Sequence, residues 1–72
     1  MIIGLPERLR SLRIKCGLTQ YEVCEKLNVC TAVLERFETG RLSPSLEFIL
    51  AFSRIYNCST DYLLGKEKSP SN

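Results

Sequence analysis

The stretch that decides the fold is residues 18–40, LTQYEVCEKLNVCTAVLERFETG. Within it, Thr19-Gln20-Tyr21-Glu22 has the Thr-x-x-Glu form of a capping box, in which the threonine oxygen accepts from a free first-turn amide and the glutamate reaches back. Val23, Cys24 and Leu27 then supply the inward face of a helix about eight residues long. Asn28 interrupts the pattern, and asparagine is one of the few side chains that tolerates the left-handed backbone of a sharp turn between helices. A further helix resumes within three residues and is predicted from about Thr31 to Glu38, with Val33, Leu34 and Phe37 facing inward and Gly40 as its stop. Two short helices joined by so tight a turn form a unit whose second helix projects while the first braces it, a geometry that fits the major groove of DNA.

Working outward, Pro6 suits the first turn of a helix. Leu5, Leu9 and Leu12 follow as one apolar stripe ending at Gly17. Beyond the central unit, Ser43-Pro44 reads as an N-cap and first-turn proline, with Leu46, Ile49, Leu50 and Ser53 tracing the buried face of a longer helix that ends near Asn57. Ser59-Thr60-Asp61 caps a last turn, Tyr62-Leu63-Leu64, stopped at Gly65. No segment alternates apolar and polar residues with the period of two that a half-buried strand needs. The expected fold is all-α with five helices, forming one domain over residues 1–65 with a frayed polar tail over 66–72.

Composition narrows the function. A chain of 72 residues supports one small core, and 44% hydrophobic with 25% charged residues is the mixture of an ordinary globular domain. The chain has no histidine, which removes the usual general base and the commonest zinc ligand, so an enzyme is not expected. The four cysteines, Cys16, Cys24, Cys30 and Cys58, lack Cys-x-x-Cys spacing, so neither a metal nor another cofactor is expected and unpaired thiols are favoured. No apolar run reaches a membrane span of roughly 20 residues, and the start lacks the form of a signal peptide, which points to the cytoplasm. A second domain that senses a small-molecule effector is not expected in this length.

Leu18-Thr19-Gln20, Cys24, Leu27-Asn28-Val29, Leu34, Phe37-Glu38, Gly40, Pro44-Ser45-Leu46 and Asp61-Tyr62-Leu63-Leu64-Gly65, in that order and spacing, resemble the Cro/repressor-type (xenobiotic-response-element) helix-turn-helix family. The likeness runs from about Leu5 to Gly65 and implies a compact lambda-repressor-like fold that binds double-stranded DNA, usually as a homodimer. It implies base-edge contacts from Thr31, Ala32 and Arg36, the arginine fork being suited to O6 and N7 of guanine together. Glu35, beside them, needs either cytosine N4 as a donor or an arginine partner, and the partner is preferred. Thr19 and Gln20, at the first turn of their helix, and Thr39 and Arg41, flanking Gly40, are the phosphate contacts the resemblance implies. It also implies an ion pair between Arg13 and Glu38, with Arg8 and Arg10 as substitutes for Arg13.

This chain departs from the family at Cys30, where a serine N-cap is common, and at Cys24 and Cys58, which read as small core residues. Ile55, Tyr56, Tyr62 and Leu63 are candidates for a dimer contact. The net charge is only +2, but Arg8, Arg10, Arg13 and Lys15 against Glu7 concentrate positive charge on the first helix. Modest nonspecific affinity and a shallow salt dependence are therefore expected. The reading is a DNA-binding transcriptional regulator, as a repressor. The alternative is a protein-interaction or antitoxin-like module of the same fold, supported by the weak basic balance and by Glu35.

Overall fold

The computed structural model describes residues 3–66. Its helices are α1 (Leu5–Lys15), α2 (Gln20–Leu27), α3 (Thr31–Thr39), α4 (Leu46–Tyr56) and α5 (Thr60–Leu63), and no strand occurs among the described residues. The last six residues of the expected polar tail lie outside the described residues, and Lys66 is an exposed bend. No helix among the described residues is long and apolar enough to cross a membrane.

Local chemistry accounts for most of these boundaries. Asn28 and Asn57 end α2 and α4 in the left-handed conformation, at φ 59° and 50°, where a β-branched side chain would be strained. The core takes Leu5, Leu9 and Leu12 from α1, Val23 and Cys24 from α2, Leu34 and Phe37 from α3, and Ile49, Phe52 and Tyr56 from α4, closed by Cys58 and Leu63. An aromatic chain runs through it: Phe37 lies 5.2 Å from Phe48 and 6.0 Å, edge-on, from Phe52, which stacks on Tyr56 at 5.7 Å. Such pairs contribute about 0.5–1.5 kcal/mol each beyond the area they bury. Burial raises the thiol pKa values of Cys24 and Cys58, while Cys16 and Cys30 are exposed and all four are free.

The start and the facing of α4 differ from the sequence reading. Its N-cap is Ser45, and Pro44 lies in the extended approach rather than in the first turn. Ser45 takes extended backbone at φ −70° and ψ 169°, and Ser43, as the residue before a proline, disfavours helical backbone. The buried stripe is Ile49, Phe52 and Tyr56, whereas Leu46 and Leu50 are 68% and 42% exposed. Both stripes share Ile49, and the helix rotates to bring its aromatic rings onto Phe37 because rings bury more surface than leucines.

The two ends of the described chain are joined by Arg8. Its Nε and Nη2 donate to the Leu63 carbonyl at 3.3 and 3.0 Å, and Nη2 also donates to the Ile3 carbonyl at 2.9 Å. The guanidinium lies against Gly4, where a β-carbon would stand 2.6 Å from Nη1.

Candidate nucleic-acid interface

The capping box of α2 is complete: the Glu22 amide donates to Thr19 Oγ1 at 3.1 Å, and the Thr19 amide donates to Glu22 Oε1 at 2.9 Å. The bond from the Thr19 backbone amide, followed by the Thr19 side chain, favours the charged carboxylate and holds the Glu22 pKa below its ordinary value. The first in-helix bond runs from the Val23 amide to the Thr19 carbonyl. The amides of Gln20 and Tyr21 therefore lie ahead of the ladder at the positive end of the helix, as an anion site requires. After α2, the Val29 amide closes on the Cys24 carbonyl at 3.1 Å, and Cys30 takes the extended N-cap conformation of α3 with no side-chain hydrogen bond. A groove of about 410 Å³, lined by Tyr21, Glu25, Asn28, Cys30 and Thr31 among others, runs along this turn and leaves the start of α3 open to approach.

The turn sorts α3 into two faces. Leu34, Phe37 and Glu38 are buried, while Thr31, Ala32, Glu35 and Arg36 are exposed together on the outward side. Thr39, also exposed, donates its hydroxyl back to the Glu35 carbonyl at 2.8 Å. The Arg36 carbonyl receives the Arg41 and Leu42 amides at 2.9 and 3.2 Å, which folds the exposed Arg41 back beside the end of α3. The arginine partner preferred for Glu35 is absent: the ion pair found among the described residues lies elsewhere, and Glu35 and Arg36 are adjacent in sequence, so their side chains leave the helix about 100° apart.

That ion pair anchors the far end of α3. Arg13 Nε donates to Glu38 Oε2 at 2.8 Å and Nη2 donates to Oε1 at 3.2 Å, while Nη1 reaches the Leu18 carbonyl at 3.1 Å. Gln20 Nε2 joins the same carboxylate at 3.3 Å. One carboxylate thus ties α1 and the first residue of α2 to α3, and its hydrogen bond raises the Arg13 pKa. The Tyr56 hydroxyl is buried without a hydrogen-bond partner, and burial, then the Glu38 charge, push its pKa upward.

Two sequence expectations change here. Arg8, offered as a substitute partner for Glu38, serves the chain ends instead, so Arg8 and Arg13 are both engaged internally and only Arg10 and Lys15 of the α1 cations stay exposed. Among the dimer candidates, Tyr56 and Leu63 are core residues at 4% and 0% exposure and have no outer surface to offer, while Ile55 and Tyr62 are half-buried. The Gln20–Glu38 bond was not anticipated. It joins residues 18 apart through tertiary packing, and no local pattern signals it.

Two helices meeting through a left-handed asparagine, with a capped brace and an outward face on the second, define a helix-turn-helix unit. The chain belongs to the helix-turn-helix domain family, whose model matches residues 5–63. It is 42% identical over 66 residues to the HTH-type transcriptional regulator ImmR of Bacillus subtilis, covering 92% of this chain and 52% of that protein. It is 32% identical over 66 residues to repressor protein C2 of Salmonella phage P22, covering 92% of this chain and 31% of that protein. This chain therefore spans about half or less of the length of these relatives. A crystal structure of the P22 c2 repressor in complex with a synthetic operator superposes with a TM-score of 0.80 at 30% identity, covering 88% of this chain and 96% of that one.

Proposed function

We propose that this chain is a sequence-specific reader of double-stranded DNA that regulates transcription as a repressor, inserting α3 into the major groove. The observation that carries the reading is the sorted face of α3: four exposed side chains at its open start, backed by a buried face and an ion pair at its other end. The likeness to a repressor bound to its operator supports it. Arg36 presents a planar fork suited to guanine, worth about 1–3 kcal/mol of discrimination, while Thr31 and Ala32 offer methyl groups to thymine. With no arginine paired to it among the described residues, Glu35 is left to accept from cytosine N4. The free amides of Gln20 and Tyr21, with Thr19, Thr39 and Arg41, form the phosphate clamp.

The protein acts as a homodimer in this reading. Two copies on a near-palindromic operator, with half-sites about 34 Å apart, give the affinity that one small interface lacks. Because two α1 cations are spent internally, phosphate attraction rests on few groups and the salt dependence is shallow. Selection of bound duplexes from a random pool tests this and is expected to enrich a symmetric motif. Arg36→Ala is then expected to lose preference at one position per half-site, whereas Arg41→Ala weakens all sequences evenly and lowers the salt slope by about one. A pool with no enrichment at low salt would rule the reading out, and identical behaviour of the two variants would refute the assignment of roles.

A further inference from the structure

Among the described residues, the Tyr56 hydroxyl is the side-chain polar group that is buried without a hydrogen-bond partner. Leaving a buried donor unmade is costly, and phenylalanine would fill the same space without that cost. The ring stacks on Phe52, which meets Phe37 edge-on, and Phe37 precedes Glu38 in α3. The Tyr56 carbonyl accepts from the thiol of Cys16, just past the end of α1, at 3.9 Å. Tyr56 thus borders the two helices that Arg13 and Glu38 join. The phenol feels both charges: after burial, the Glu38 carboxylate does most to raise its pKa, and the Arg13 guanidinium lowers it. Glu38 Oε1, for its part, accepts from Arg13 Nη2 at 3.2 Å and from Gln20 Nε2 at 3.3 Å, which occupies both of its lone pairs. The Gln20 bond is the longest made to this carboxylate, and it comes from a half-buried side chain at the first residue of α2.

We propose that Tyr56 is a positioning residue for DNA binding, whose hydroxyl donates to Glu38 Oε1 when the Gln20 side chain leaves that oxygen for a phosphate. Turning the Gln20 amide outwards breaks the longest bond to the carboxylate and frees a lone pair on a buried charge. The hydroxyl is the donor held in reserve for it. The exchange keeps Glu38 satisfied, so the end of α3 stays fixed while the start of α2 engages the duplex. It also gives the orphaned hydroxyl a charged acceptor, and hydrogen bonds to charged acceptors are the stronger kind. The free protein therefore holds back stability that DNA binding returns. The inference rests on the phosphate role read for Gln20 and adds the residue that makes its release possible.

Tyr56→Phe removes the hydroxyl and keeps the ring. The probe is a mixed-sequence duplex at low salt, since a phosphate contact needs no particular base. The urea midpoint of the free variant is expected at or above that of the wild type, because only an unpaired group is lost, while duplex affinity falls by about fivefold or more. A damaged core would lower both. Gln20→Ala should vacate Oε1 without DNA. In that variant, free in solution, the NMR resonance of the ring carbon bearing the Tyr56 hydroxyl should shift as the hydroxyl becomes bonded, and adding Tyr56→Phe should now lower the urea midpoint. Unchanged duplex affinity in Tyr56→Phe would overturn the inference. So would a Tyr56 resonance that Gln20→Ala leaves in place, or a Tyr56→Phe midpoint change that is the same with and without Gln20. A wild type that binds no duplex at low salt would instead count against DNA reading, and the Gln20→Ala measurements on the free protein would still decide whether the hydroxyl takes the vacated place.

Discussion

The starts of α2 and α3 have nearly the same backbone, with Thr19 at φ −82°, ψ 162° and Cys30 at φ −83°, ψ 160°. Yet Thr19 is held by a reciprocal pair of hydrogen bonds, and Cys30 has no side-chain bond at all. An N-cap conformation therefore does not require an N-cap side chain. At Cys30 it is imposed by what lies on either side: the left-handed Asn28 that aims the chain, and the burial of Leu34, Phe37 and Glu38 further along. The brace is secured at its start and the projecting helix at its end. The uncapped start of the pair thus sits where the outward side chains are, and low local stability is common in segments that adapt to a ligand.

The largest expected effect is at the secured end of α3. Glu38→Gln leaves the Arg13 guanidinium without its counter-charge in a site where Arg13 keeps 13% side-chain exposure. Loss of about 2–3 kcal/mol in urea unfolding is expected, below the range for a fully buried pair because of that residual exposure. A change under about 0.5 kcal/mol would mean that α3 is held by its apolar contacts alone. Next come the two caps, which should respond with opposite signs. Thr19→Ala is expected to cost about 1 kcal/mol, whereas Cys30→Ser should gain about 0.5–1 kcal/mol and slow amide exchange in the first turn of α3. If Cys30→Ser brings no gain, the missing bond is not what distinguishes the two starts.

The smallest effect is a pH dependence at α2. Because the folded-state pKa of Glu22 lies below its ordinary value, its contribution is present above the unfolded pKa and is lost as pH falls through the folded one. NMR titration should find Glu22 protonating below ordinary glutamates, and Thr19→Ala should raise it only part of the way, because the backbone amide of residue 19, the larger cause, remains. A Glu22 that titrates normally in the wild type would remove the capping box from the comparison.

What the sequence disclosed, and what it hid, follows the range of the interactions. Thr19 and Glu22 are three residues apart, and Asn28 and Gly40 act on their own backbone, so the helix boundaries from 5 to 40 could be read directly. The rotation of α4 could not, because Leu46-Leu50 and Phe52-Tyr56 are equally good helical stripes until Phe37 selects one. The uses of Arg8 and Gln20 were hidden for the same reason, being set by partners 55 and 18 residues away. The outward set on α3 came from a family resemblance, and the structure contributes the physical separation of that set from the buried face.

The Arg8 latch has a mechanical consequence. It closes a loop of 55 residues between Arg8 and Leu63, using carbonyls near the two ends of the described residues. Because the latch joins α1 to the last residue of α5, a substitution at Arg8 is expected to free that seam before it disturbs α2 or α3. The domain is therefore built like a clasped ring, in which the seam can open and reclose while the helix-turn-helix pair, held by Arg13 and Glu38, keeps its shape.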